Sequence, residues 1–275
     1  MIVYFLRFLK LLGIATAMRR LGMAGLVAQT NRHLLAQERY RTARAYLHGN
    51  GLEIGALHFP LPLPSGVTVR YVDNKTQEEN LKRCPNAKRG QVLLPDLVED
   101  GFILASLPKA SEDFVIANHV LEHAPDPLGA LHNWARIIRN GGCIFLTLPI
   151  AEQCFDRKRP ISSLEHLKED YHLSAAGDLH SRRQLDRTHY LEWATLSEPE
   201  AALAPDGPTL LSQNEQIIRA EQLWTDSADI HFHTFTPVSF AAMLDYFITE
   251  IDRNFSVAEI RLCKNEIIAV LKHMG

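Results

Sequence analysis

Cysteine is scarce in this chain. Its four residues, Cys84, Cys143, Cys154 and Cys263, never form a C-x-x-C pair. Neither a zinc knuckle nor a disulfide framework is therefore indicated, and a reducing cytoplasm is the default setting. An excess of one charge is also missing. The formal net charge of -3 gives no general basic field, so no nucleic-acid partner is expected. Long apolar runs are missing near the start, where the uncharged stretch Leu11 to Met18 falls far below the ~20 residues of a membrane span. No internal repeat or low-complexity tract appears. A G-x-G-x-x-G run after the first predicted strand is absent too, which counts against a dehydrogenase.

What is present suits one large α/β domain with additions. The 275 residues are 46% hydrophobic, enough for a sizeable core, and 22% charged, which is ordinary. Residues 1–48 read as a helical N-terminal extension. In RHLLAQERYRTARAYLHG, Ala36, Tyr40, Ala43 and Leu47 recur at helical spacing, and His48-Gly49-Asn50-Gly51 stops the helix. The first 20 residues mix Phe and Leu with Arg7 and Lys10. An amphipathic helix packed on the domain or a partner fits this pattern, and so does peripheral membrane contact. A signal peptide is conceivable from the basic start, but the domain after it reads as a cytoplasmic enzyme.

From residue 49 the pattern alternates strand and helix. GLEIG, VTVRYVD, DFVIANH and CIFLTLP read as buried strands, with helices near residues 77–83 and 127–139. The segment ALHFPLPLPSG, with its three prolines, cannot be helix interior. Between residues 150 and 230 the chain turns polar and helical, as an insertion or cap would. Helices are expected from Ser163 onward, over 185–196 and over 213–225. A helix over 237–251 and strands near 256–262 and 266–271 complete a domain spanning 49–275. Open parallel sheets bind ligands beyond the carboxyl ends of their strands, where the strand order reverses.

Five motifs in order carry a resemblance: Leu52-Glu53-Ile54-Gly55; the acidic strand end Asp73; Asp100-Gly101; Leu121-Glu122-His123 with Asp126-Pro127; and Gly141-Gly142. Together they resemble the class I S-adenosylmethionine-dependent methyltransferases, in the branch with a "LEH" turn after strand four. The resemblance implies a Rossmann-like seven-stranded sheet and S-adenosylmethionine as cofactor. It implies a cofactor site drawn from Glu53, Gly55, Ala56, Asp73, Asn74, Asp100, Gly101 and Asn118. Asp73 would take the ribose hydroxyls, Asp100-Gly101 would meet adenine, and Glu53 would lie beneath the loop after strand one. Gly55 allows close backbone approach. One departure stands out: Gly55-Ala56-Leu57-His58-Phe59-Pro60 replaces the usual G-x-G-like run. A subgroup with LEIGA-L-H-x-P, F-D-x-x-R and H-x-x-x-D-Y patterns resembles this chain at residues 52–60, 155–159 and 166–171. It implies a small-molecule acceptor, a sugar or sugar nucleotide of surface-polysaccharide synthesis.

Methyl transfer to oxygen or nitrogen is an in-line displacement helped by alignment and by removal of the acceptor's proton. Histidine suits the second task near neutral pH. His119 and His166 are the candidate bases, with Asp170 one helical turn from His166 to orient it and Arg159 to clamp an anionic acceptor. His123 fits a structural role in its turn. No metal ligand set is assigned. The rivals are a different, metal-assisted enzyme on the same fold using His58, His119, His166 and Asp170, and a non-catalytic methyltransferase-like domain that binds a partner.

Overall fold

The computed structural model describes residues 24–83, 91–201 and 211–275. The expected membrane or packing contact of the first 20 residues lies outside that range. Helix α1 (Ala24–Tyr46) leads into β1 (Asn50–Ile54). Then come β2 (Thr68–Asp73), α2 (Gln77–Arg83), the two-residue β3 (Leu97–Val98) and β4 (Glu112–Asn118). Helix α3 (Pro127–Ile137) and β5 (Ile138–Pro149) are next. The segment after β5, expected from the sequence to act as a cap and called that below, holds α4 (Leu164–Ala175), α5 (Leu179–Glu192), the short α6 (Glu198–Ala201) and α7 (Gln213–Thr225). Helix α8 (Pro237–Tyr246), β6 (Phe255–Cys263) and β7 (Glu266–His273) close the chain. Among the described residues no helix is long and apolar enough to cross a membrane.

The seven strands form one sheet in the order β3-β2-β1-β4-β5-β7-β6. β1 pairs in parallel with both β2 and β4, and β7 runs antiparallel between β5 and β6. The chain thus leaves β1 toward one edge and returns on its other side at β4. That reversal opens a crevice beyond the carboxyl ends of β1 and β4.

Alternate side chains of each strand serve opposite faces. Leu52, Ile54, Val115, Ala117, Ile144, Leu146, Ile267 and Ala269 join the cluster that receives α3 and α8, centred on the fully buried Trp134 and Phe240. On the other face Phe114, Ile116, Phe145, Ile268 and Val270 pack on Ala43 and Leu47, at and just beyond the end of α1, and on Leu61 of the proline loop. Of the four residues expected at helical spacing, Ala43 and Leu47 cover this sheet face, whereas Ala36 and Tyr40 are exposed. A third cluster, with Tyr190, Ala194, Ala220, Leu223, Ile230 and Phe232, is the cap's own core.

Three boundaries differ from the sequence reading. β3 falls where the sequence predicts loop, because two residues carry no periodicity; only the pairing of Leu97 and Val98 with Val72 and Asp73 makes it a strand. The helix expected over 127–139 ends at Ile137, because Ile138 pairs with Glu112 and the strand runs on through Gly141, held at φ +77°. The cap helix expected from 185 begins at Leu179, started by the Asp178 side chain, which accepts the Ser181 N–H.

Candidate active site

Four strand ends assemble the crevice. Gly55 ends β1 in the left-handed region at φ +64° and is exposed. Asp73 ends β2, half-buried, with Oδ1 accepting the Lys75 N–H at 3.0 Å. Burial raises its pKa above the ordinary carboxylate value, against the lowering effect of hydrogen bonds from Lys75 and Asn80. Asn74 comes next and is exposed. Asp100 is exposed in the loop beyond β3, its Oδ1 taking the Phe102 N–H. Helix α3 fixes that loop from below: Trp134 Nε1 donates to Gly101 O at 2.7 Å, Asn133 to Phe102 O, and Arg136 to Leu104 O and Leu107 O. A Cβ on Gly101 would lie 2.5 Å from Ile54, so no side chain fits between this loop and β1.

Glu53 is fully buried beneath the first loop. Its carboxylate accepts the Leu61 N–H at 2.9 Å and the Asn118 side-chain amide at 3.2 Å. Burial pushes its pKa up to about 7, despite those bonds and the Arg39 charge. Glu53 therefore ties the proline loop to the end of β4 from inside the protein. Asn118 is bound at both ends, since Thr147 Oγ1 donates to its Oδ1. The loop itself is defined by backbone bonds from Phe59 N to Ala56 O and from Leu93 N to Leu57 O, with Leu57 at φ +51°. His58 Nδ1 is buried there without a hydrogen-bond partner.

The donor set at these strand ends fits the nucleoside half of S-adenosylmethionine. Asp73 and Asp100 present carboxylates, which accept hydrogen bonds from hydroxyl and amine groups. Gly55 presents bare backbone on the same side. The departure at residues 56–60 is accommodated because Glu53 receives the Leu61 N–H and shapes the loop without a second glycine.

His119, at the turn after β4, sits at φ +53° with its side chain a third exposed. Both ring nitrogens meet carboxylates: Nε2 lies 2.9 Å from Glu266 and Nδ1 3.3 Å from Glu122. Glu266 is also gripped by Arg39 of α1 at 2.6 and 2.9 Å. Burial alone would lower the His119 pKa; the two carboxylates outweigh it and lift it to about 9. With its pKa raised to about 9 the ring favours the protonated form near neutral pH, with Nε2 donating to Glu266 and Nδ1 beside the Glu122 carboxylate. That geometry opposes its expected use as a proton acceptor.

This linkage gives a pH test. The folded pKa of His119 exceeds its unfolded value of 6.5, so its stabilisation is complete below pH 6.5 and disappears as pH rises through about 9. Allowing for solvent screening at a partly exposed group, the effect is about 1–2 kcal/mol. Wild type should lose a few degrees more of Tm between pH 6.5 and 9 than His119→Gln does. Parallel curves would show that the ring is not charged in the fold.

The remaining candidates lie inside the cap. The Arg159 side chain is 1% exposed, and its guanidinium donates to His231 O at 2.6 Å and Phe232 O at 2.9 Å beside Asp156 and Glu192. Its hydrogen-bonding capacity is spent within the protein, which opposes the acceptor-clamp expectation. His166 and Asp170 do share a face of α4, with Nε2 and Oδ2 3.3 Å apart. They face inward, toward His189 of α5 and His233. The cap is anchored on the LEH turn, where Phe232 N and His233 N both donate to Glu122 O. The sequence patterns assign no site role to Glu266, His189 or His233. The alternation His231-x-His233 on an extended stretch is the one local signal; Glu266 has none, since its partners are 147 and 227 residues away.

The sequence profile of the family described as methyltransferase domain matches residues 49–146. That span contains β1 to most of β5 and every cofactor-site candidate. No curated protein matches the chain. Among solved structures, a SAM-dependent methyltransferase from Methanosarcina mazei is 18% identical, with 85% of this chain and 95% of that chain covered at a TM-score of 0.42. A SAM-dependent methyltransferase from Aquifex aeolicus is 10% identical, with coverages of 82% and 81% and a TM-score of 0.39. Scores this low leave the assignment to the profile match, the strand order and the strand-end residues. Residues 49–146 thus match the family described as methyltransferase domain, within a sheet ordered β3-β2-β1-β4-β5-β7-β6.

Proposed function

We propose that the enzyme methylates a small molecule, a sugar or sugar nucleotide, that enters between the LEH turn and the cap. The observation that supports this most is the crevice at the β1/β4 reversal, with Gly55, Asp73 and Asp100 at its strand ends and the segment around Phe232 and His233 bonded to Glu122 O of the adjoining turn. The net charge of -3 offers no broad attraction to nucleic acid.

When bound, S-adenosylmethionine supplies an electrophilic methyl group. In this reading Asp73 accepts hydrogen bonds from the ribose hydroxyls, Asp100 and Gly101 border the adenine, and the Gly55–Ala56 backbone, held by Glu53, meets the amino-acid end. His119 contributes positive charge at the acceptor side, with its ring nitrogens held by Glu266 and Glu122. Positioning is then the main source of rate, as in other in-line displacements. His166, Asp170 and Arg159 act by holding the cap in place.

Calorimetric titration with S-adenosylmethionine and S-adenosylhomocysteine tests the cofactor site directly. We expect saturable binding of both at one site per chain. Folded protein that binds neither would overturn the reading and favour a non-catalytic role. Once binding is shown, transfer of a labelled methyl group to sugar nucleotides, with nucleic acid and protein as comparison acceptors, tests the substrate class.

A further inference from the structure

The side chains of His166, Asp170, His189 and His233 converge on one point inside the cap, with their ligand-type atoms all within 4.8 Å of one another. His166 Nε2 lies 2.9 Å from His189 Nε2 and 3.3 Å from Asp170 Oδ2, and His233 Nε2 lies 3.6 Å from Asp170 Oδ2. Four donors around a zinc ion at ~2.0–2.1 Å in a tetrahedron stand about 3.3 Å apart. The separations in the cap bracket that spacing. Asp170 is fully buried, and its Oδ2 has no hydrogen-bond partner, although it points into the cluster. Its other oxygen is taken by Arg182 at 3.0 Å.

We propose that His166, Asp170, His189 and His233 form a four-coordinate site for a divalent transition metal, zinc foremost, which fastens the segments of the cap to one another. Three imidazoles and one carboxylate are borderline donors suited to zinc. With four protein ligands the site is closed, which marks a structural rather than a catalytic ion. The ligands come from α4, from α5 and from the extended stretch before α8, so one ion fastens three segments that are otherwise far apart in sequence. His233 would bind through Nε2, exchanging its 3.3 Å contact with Pro125 O for the ion, with Nδ1–H donated to Ser162 Oγ at 3.4 Å. In the absence of an ion, two ring nitrogens 2.9 Å apart and an orphaned carboxylate oxygen have to be reconciled by protons alone. A cation satisfies all four at once. The site is separate from the cofactor crevice but adjoins it: the His233 backbone N–H holds Glu122 O, and Glu122 is the middle residue of the LEH turn.

The test begins with intact protein carrying no polyhistidine tag. Metal analysis after exposure to zinc and extensive dialysis should find one ion per chain. Replacement by cobalt(II) should give the strong visible d–d absorption of a four-coordinate ion. Removal with a chelator should lower Tm, and added zinc should restore it in a concentration-dependent way. His166→Gln at the half-buried edge and His189→Asn in the interior should each lose the ion. His172→Gln, exposed on the same α4, should keep it. Folded wild type that takes up no zinc and gives no cobalt spectrum would overturn the proposal, as would full metal retention in the His166→Gln/His189→Asn double variant. Both readouts are independent of catalysis, so their failure and a failure of cofactor binding are distinguishable.

Discussion

Replacing Asp73 by alanine is expected to weaken S-adenosylmethionine binding by roughly 30- to 1000-fold while leaving the fold in place. Hydrogen bonds to a charged acceptor contribute about 1.5–3 kcal/mol each, and a ribose diol offers two that share one carboxylate. The residue also has a local duty, since its Oδ1 takes the Lys75 N–H at 3.0 Å. Loss of that bond costs about 0.5–1.5 kcal/mol of stability, too little to unfold a domain of this size. Asp73→Asn separates the two roles, because an amide oxygen keeps the turn but loses the negative charge. It should restore Tm and recover only part of the affinity. Calorimetry with parallel melting curves reads both quantities. Affinity unchanged in a folded Asp73→Ala protein would move the ribose elsewhere in the crevice, with Asp100 the next residue to test.

The second large effect is on stability. Arg159→Ala should destabilise the protein by about 3–5 kcal/mol, since removing one partner of a buried ion pair strands the other. Three groups are stranded at once: the carbonyls of His231 and Phe232, and the Asp156 carboxylate. Asp156 keeps His231 Nδ1 and Ser197 Oγ, both at 2.6 Å, which limits the loss. At ~2–4 °C per kcal/mol for a chain of this length, Tm should fall by about 6–20 °C. Arg159→Lys should recover less than half of this, because an ammonium cannot reproduce the planar fork that spans two carbonyls. An acceptor-binding role would behave differently: Arg159→Lys would raise KM for the acceptor with Tm unchanged. The buried position of the guanidinium makes the first outcome the expected one.

Much of the sheet was legible because its strands are short apolar runs punctuated by glycine, proline and acidic residues. Continuous burial over Phe114–Ala117 reads as a strand covered on both faces, and the structure covers it with α3 on one side and α1 on the other. The start of α3 was equally legible. Asp126 before Pro127 is an N-cap with proline in the first turn, and its carboxylate accepts the Gly129 N–H at 2.8 Å. The strand-end positions of Gly55, Asp73 and Asn118 come from the same local patterns.

The roles of charged groups were not legible in this way. His119 and Arg159 look like a base and a clamp when read with their sequence neighbours. Their actual partners, Glu266 for one and the His231 and Phe232 carbonyls for the other, arrive from 147, 72 and 73 residues away. A protonation state depends on the charges within a few ångströms, and those charges are set by packing rather than by spacing along the chain. The histidine cluster shows the same limit. His166 and Asp170 announce themselves by their four-residue spacing on one helix, whereas His189 and His233 join them only when α5 and the stretch before α8 fold over α4.

The sequence by itself determined the local elements and the strand-end motifs, because hydrophobic period, caps and turn residues act within a few residues of each other. It also carried the cofactor class, through motifs that each occupy one strand end. Tertiary structure alone decided which carboxylates surround His119, where the Arg159 guanidinium is spent, and that four cap side chains meet at one point. Those outcomes depend on long-range burial, where desolvation and nearby charge set the chemistry of each group.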